Sequence, residues 1–173
     1  MNKPQVKGHS IWLTPDRECG ERLNQLIGTL AAYFSSPLFP PHLTLLGQLK
    51  DTPERILPVF KKLGQTCHPL MIRPESIGLE SFYYRALFYK IEPSKQLLEM
   101  NHLARVQFER ETDPVFFPHV SLLYSQEAEP TKRETLEELK INLIDSIKIT
   151  GIELVKTSGE VENWERVEYI ELV

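Results

Sequence analysis

The sequence predicts an α+β protein of two pseudo-symmetric lobes, with antiparallel-rich sheets flanking a central groove and helices on the outside. Two observations carry that prediction. The apolar period changes back and forth along the chain between two residues, as in strands, and three to four, as in helices. One spelling also occurs twice, as FPPHLTLLG at 39–47 and FFPHVSLLY at 116–124, and each copy is flanked by the same order of elements.

HSIWLTP (9–15) is short, apolar and closed by proline, which predicts a strand. ERLNQLIGTLAAYF (21–34) carries Leu23, Leu26, Ile27, Leu30 and Phe34 at helical spacing. SSPLFPP cannot continue that helix and predicts a loop; HLTLLGQL is the next strand. TPERILPVFKKLG (52–64) starts on Thr-Pro and stops on Gly, as a helix does, with a kink expected at Pro58. The run 71–92 contains two strand-like stretches. Residues 94–110 read as a helix capped by Ser94. TDPVFFP is again a proline-bearing loop, and HVSLLY again a strand. The spelling Thr131…Glu134 predicts a capping box opening a helix over 131–146. SIKITGIELVKT (146–157) and WERVEYIELV (164–173) close the chain as strands. Each half thus runs strand, helix, Pro-rich loop, Pro-His strand, helix, strand.

With 173 residues, 41% of them hydrophobic and 25% charged, the chain suits one bilobal domain over 1–173. Its 24 acids outnumber 20 bases, for a net charge of −4, so no long nucleic acid is expected as a partner. A small anionic ligand in a locally positive pocket is compatible with that balance. Cys19 and Cys67 belong to no metal or redox spelling and are expected as reduced thiols. No apolar run reaches signal-peptide or membrane-span length. A cytoplasmic monomer without a membrane partner is expected.

In the doubled spelling, five of eight positions match between FPPHLTLL and FFPHVSLL. Side chains alternate along a strand, so His42 and Thr44 share one face, as do His119 and Ser121. A pseudo-twofold between the lobes would bring both pairs together. One neutral imidazole can then take a proton from water while the other, protonated, gives one to a leaving alkoxide. An ordinary pKa of about 6.5 suits both tasks. The hydroxyls of Thr44 and Ser121 can steady the charge that grows on a phosphodiester under attack. No third ligand accompanies either histidine at metal spacing, so neither a metal nor another cofactor is expected. A hydroxyl two residues after a histidine is common by chance; two such pairs inside one shared frame are not.

The pair resembles the two H-x-[ST]-x motifs of the 2H (two-histidine) phosphoesterase superfamily, and most nearly its cyclic phosphodiesterase branch. SIWLTPD resembles the opening strand of that branch, PHLTLL and PHVSLLY its motif strands, and ENWERVEYIEL its Trp-bearing last strand. The middle, 48 to 80, is matched by element type alone. The resemblance implies metal-free opening of ADP-ribose 1″,2″-cyclic phosphate, and of nucleoside 2′,3′-cyclic phosphates to 2′-phosphates. It implies His42 and His119 as acid and base, with Thr44 and Ser121 on the phosphate. Tyr124 falls where the branch has a tyrosine on the phosphate or its water, although strict alternation puts it opposite His119. Trp12 either lines the nucleotide's place or is a core residue.

His9, His68 and His102 lack the following hydroxyl, and surface or satisfied polar roles are expected for them. FYYRALFY (82–89) alternates as a strand; Tyr83 or Tyr84 is a candidate for stacking on a base. Arg85 is read as a surface residue, with a phosphate contact as the alternative. The expected function is therefore a cyclic phosphodiesterase acting on a small cyclic-phosphate nucleotide. The rivals are an RNA-end enzyme, cyclic phosphodiesterase or 2′-5′ RNA ligase-like, and a nucleotide-binding module without turnover.

Overall fold

The computed structural model describes residues 6–173. Among these the chain runs β1 (His9–Pro15), α1 (Arg17–Phe34), β2 (Leu43–Leu49), α2 (Pro53–Thr66), β3 (Leu70–Ile72) and β4 (Pro74–Leu79). It continues through β5 (Leu87–Ile91), α3 (Lys95–Gln107), β6 (His119–Leu123), α4 (Glu129–Glu138), β7 (Ile147–Lys156) and β8 (Glu165–Glu171).

Local chemistry sets the helix ends. The Asp16 carboxylate accepts from the Cys19 N–H at 2.9 Å, so α1 starts at Arg17, four residues before the predicted stretch 21–34. Ser94 caps α3 as expected, its hydroxyl accepting from the Leu97 N–H. Pro58 sits inside α2 without ending it; the helix loses only the hydrogen bond that an N–H at 58 would make.

Two expectations are corrected here. The helix predicted over 131–146 is instead Glu129–Glu138, entered from extended Ala128 with a proline in its first turn. Thr131 lies inside it, and its carbonyl accepts from the Thr135 hydroxyl at 2.9 Å, so no capping box forms. Left-handed Lys140 (φ 50°) ends the helical path, leaving Ile141 and Ile144 to pack on the core from a loop. The strand predicted over 82–89 begins only at Leu87, because Tyr83–Arg85 form a 3₁₀ turn.

All strand pairs are antiparallel, in the order β3-β7-β1-β2-β6-β5-β4, with β8 also on β7. The α+β class with two antiparallel lobes is thus observed. The halves of the chain exchange strands, however: C-terminal β7 and β8 join β1, β2 and β3, while β4, β5 and β6 form the second lobe. The helices also cross over, α1 packing on β6 and α3 on β2. Buried Asn101 of α3 ties them there, donating from Nδ2 to the Leu45 carbonyl at 2.8 Å.

Alternation decides the layers. Ile11 and Leu13, Leu43 and Leu45, and Val120 and Leu122 point into one core with Leu23, Leu30, Phe60 and Leu97 from the helices. Burying one such leucine contributes about 2 kcal/mol. The opposite faces of β1, β2 and β6 turn toward the groove.

Candidate active site

The lobes meet at a single paired register, Leu43 with Val120. Each is the residue directly after a motif histidine. In an antiparallel pair, that register sets His42 opposite Ser121 and Thr44 opposite His119. The four side chains make a two-by-two arrangement on one face, each imidazole facing the hydroxyl of the other motif. All four line one cavity of about 600 Å³, together with Trp12 and Tyr124. That volume is in the range of small-molecule sites.

The same local device orients both histidines. His42 Nδ1 lies 2.7 Å from the Pro40 carbonyl, and His119 Nδ1 lies 2.9 Å from the Phe117 carbonyl. A carbonyl only accepts, so Nδ1 carries the proton in both rings and Nε2 is left for the cavity. The Pro-His spelling explains the repetition. Each proline keeps the preceding residue extended, and that residue's carbonyl is the one the imidazole meets.

The surroundings of the two rings differ. His42 is 7% exposed and stacks on Trp12, with ring centroids 3.6 Å apart and planes at 9°. His119 is edged by Phe88 at 5.6 Å and 74° and tilted against Phe117 at 5.8 Å. Burial lowers the pKa of His42 to about 4, against the raising effect of the Pro40 carbonyl, and nearby His119 lowers it further. Burial also lowers that of His119; the Phe117 carbonyl opposes this, Arg85 adds to it and Glu80 opposes it. Both rings are therefore neutral at pH 7 in the free protein.

The hydroxyls are not equivalent. Ser121 Oγ donates to the Tyr84 carbonyl at 2.8 Å, so its one proton is spent and only lone pairs remain for the cavity. The Thr44 hydroxyl makes no hydrogen bond among the described residues, and its proton is free to point at a ligand. Tyr124 reaches the cavity despite the alternation rule because β6 is irregular. Ser121 pairs with Phe88 but Leu123 with Leu87, two steps on β6 for one on β5. One extra residue reverses the parity, so Tyr124 emerges on the side of Ser121. Its ring stacks on Phe39 at 3.7 Å, and burial raises its pKa, keeping the phenol protonated.

The family model described as "Cyclic phosphodiesterase-like protein" matches residues 7–172. The chain belongs to that family. It lies within the 2H phosphoesterase superfamily and is an enzyme of the phosphodiesterase class. A curated relative, the "Cyclic phosphodiesterase" of Arabidopsis thaliana, is 24% identical over 176 residues, covering 96% of each chain. Among solved structures, TT0787 of Thermus thermophilus superposes with a TM-score of 0.66 at 20% identity, covering 95% of this chain and 97% of that one. Escherichia coli LigT complexed with 3′-AMP gives 0.63 at 16% identity, with 99% of each chain covered.

This cyclic phosphodiesterase-like protein carries more in its cavity than its sequence advertised. Arg85, read as a surface residue, lines the cavity beside Phe82 and Tyr84. Its Nε and Nη2 both donate to one carboxylate oxygen of Glu80, at 2.8 and 2.6 Å, and its guanidinium lies 4.7 Å from the Phe117 ring centroid. Its placement by a 3₁₀ turn is why strand alternation could not find it. Of the two tyrosines considered for base stacking, Tyr84 lines the cavity; Tyr83 is buried behind it, its hydroxyl without a hydrogen-bond partner among the described residues. Ser10, Thr157 and Trp164 also face the cavity, with no signal beyond strand parity for Ser10.

His9 corrects another expectation. It is buried, and among the described residues neither ring nitrogen completes a well-aligned hydrogen bond, the Leu49 backbone being a polar neighbour. His68 does have the expected polar role, its Nδ1 meeting the Val173 carbonyl at 2.7 Å. Cys19 and Cys67 are both free thiols. Among the described residues no cluster of three His, Cys, Asp or Glu side chains has metal-binding geometry. No helix among them is long and apolar enough to cross a membrane.

Proposed function

We propose that this enzyme opens nucleoside 2′,3′-cyclic phosphates to 2′-phosphates, and ADP-ribose 1″,2″-cyclic phosphate to the 1″-phosphate, with acid and base drawn from its own residues. The observation that carries this reading is the pair of imidazoles, each tied by Nδ1 to a carbonyl and each facing a hydroxyl across the seam. Adding water across a phosphodiester needs one proton taken and one given, and two such rings supply both. The groove needs both lobes, so residues 1–173 act as one bilobal unit.

The hydroxyl asymmetry supports different tasks for Ser121 and Thr44. A cavity-facing acceptor at Ser121 repels a phosphate oxygen but holds the O–H of a water. A neutral imidazole of the pair takes the proton of that water through Nε2 as the new O–P bond forms. Thr44 donates to a non-bridging oxygen, where charge accumulates. For a 2′,3′-cyclic phosphate the bond to the 3′ oxygen breaks, and Nε2–H of the other, protonated imidazole delivers the proton to it. Exchange with solvent then returns both rings to their starting states. The substrate's negative charge supplies the proton uptake that both rings resist when the site is empty.

The test is turnover of 2′,3′-cyclic AMP in excess EDTA, with products separated chromatographically and His42→Ala and His119→Ala run alongside. Formation of the 2′-phosphate, lost in either folded variant, is the expected result. Activity surviving both substitutions overturns it.

A further inference from the structure

Four aromatic rings form a file leading out of the site. Trp12, stacked on His42, lies 5.8 Å from Trp164; Trp164 stacks on Tyr84 at 5.8 Å; and Tyr84 meets Phe82 edgewise at 6.1 Å. All four line the same cavity. Exposure grows along the file, from 2% at Trp12 to 55% at Phe82. A phenylalanine left this open at a cavity mouth, when the core beside it is closely packed, presents a free π-face to whatever enters.

Arg85 stands beside that face, its guanidinium carbon 5.9 Å from the Phe82 ring centroid. Glu80 engages Nε and Nη2, while Nη1 makes no hydrogen bond among the described residues. An arginine with uncommitted N–H groups next to an open aromatic ring is the pairing that takes a phosphate and its neighbouring base.

We propose that the Phe82–Arg85 corner is a subsite for a distal nucleobase of the substrate, with Arg85 on the phosphate-bearing linker that joins it to the ribose carrying the cyclic phosphate. The proposal rests on the reading of the cavity given above and narrows it to substrates longer than a mononucleotide. Two chemistries share this pattern: a short oligonucleotide ending in a 2′,3′-cyclic phosphate, and ADP-ribose 1″,2″-cyclic phosphate with its pyrophosphate linker. The subsite needs one base and one linker, a demand compatible with a chain of net charge −4.

The experiment compares kcat/KM for 2′,3′-cyclic AMP, for a dinucleotide ending in a 2′,3′-cyclic phosphate, and for ADP-ribose 1″,2″-cyclic phosphate. Wild type, Phe82→Ala, Phe82→Trp and Arg85→Gln are measured on each. At least one of the two longer substrates should exceed the mononucleotide by about 10-fold, the scale of one stacked base. Which one does so identifies the linker. Phe82→Ala should erase that ratio, Phe82→Trp should keep it, and Arg85→Gln should lower it. Equal values for all three substrates in wild type overturn the subsite, as does a Phe82→Ala loss of the same size on each. If none of the three is opened, the catalytic reading itself has failed. Binding then decides the subsite: both tryptophans of the chain face the cavity, so their fluorescence reports occupancy by an uncyclised dinucleotide. Binding weakened by Phe82→Ala supports it, and binding indifferent to Phe82→Ala overturns it.

Discussion

The indole of Trp12 lies flat against the imidazole of His42, 3.6 Å between centroids and 9° between planes. The Pro40 carbonyl fixes the ring in its own plane through Nδ1, and the indole fixes it from one face. Together they leave Nε2 one direction. His119 has the in-plane tie but no stacked partner, so the two rings are held unequally. Trp12→Leu should lower kcat by about 100-fold, the scale of a misplaced catalytic group. Trp12→Phe, which retains a flat face, should lose far less. Steady-state kinetics on a 2′,3′-cyclic nucleotide, with circular dichroism to verify folding, checks both.

The two hydroxyls should separate in the same assay. Thr44→Val keeps shape and removes a donor aimed at developing charge, so kcat should fall by about 100-fold or more with KM little changed. Ser121→Ala removes an acceptor for water and leaves the Tyr84 carbonyl without its 2.8 Å partner. It should reduce activity, and Ser121→Thr should restore it. Equal effects of Thr44→Val on kcat and on ground-state binding would remove Thr44 from the transition state.

The depressed histidines set the pH dependence. With both rings below the ordinary 6.5, and His42 at about 4, the free enzyme holds one proton on the pair only in acid. The kcat/KM profile should therefore be a bell with its maximum below pH 6.5, whose limbs belong to the pair. A bound phosphate anion favours the protonated form of its neighbours. The kcat profile, which reports the complex, should sit at higher pH. Profiles of the two constants that superpose would contradict the assignment. Arg85→Gln should move the pair upward as well, because Arg85 lowers the pKa of His119.

What the sequence made legible was whatever repeats or alternates. The doubled Pro-His-apolar-hydroxyl frame pointed to all four motif residues, and strand parity put each on the groove face where it is found. Residues placed by irregular backbone were not legible. The extra residue in β6 turns Tyr124 into the cavity against strict alternation. A 3₁₀ turn carries Arg85 inward from a run that alternates like a strand. The exchange of strands between halves is likewise invisible locally, because β7 pairs with β1 from the far end of the chain. Capping chemistry was readable at Ser94 and misread at Thr131, where the proline at position 130 had already started the helix.

His9 tests whether part of this fold's acid sensitivity lies outside the cavity. It is buried at the head of β1, and neither ring nitrogen completes a well-aligned hydrogen bond among the described residues; burial and then Lys156 lower its pKa, while the nearby Leu49 backbone opposes them. The sign follows from linkage. In the window below 6.5 the unfolded chain binds protons that the folded chain refuses, so stability is full above pH 6.5 and is lost as pH falls toward the folded values. His42 and His119 act in the same direction. Denaturant melts at about pH 7.5 and about pH 5 should show the loss. His9→Leu removes two poorly satisfied polar atoms and replaces them with apolar surface, so it should be neutral or stabilising by about 1 kcal/mol at the higher pH. Its advantage should widen at the lower pH, where the native histidine is pressed to charge, and activity should persist because His9 faces away from the groove. A variant that loses stability by the same amount at both pH values would mean that the ring contributes packing alone, and would assign the acid sensitivity to the cavity pair.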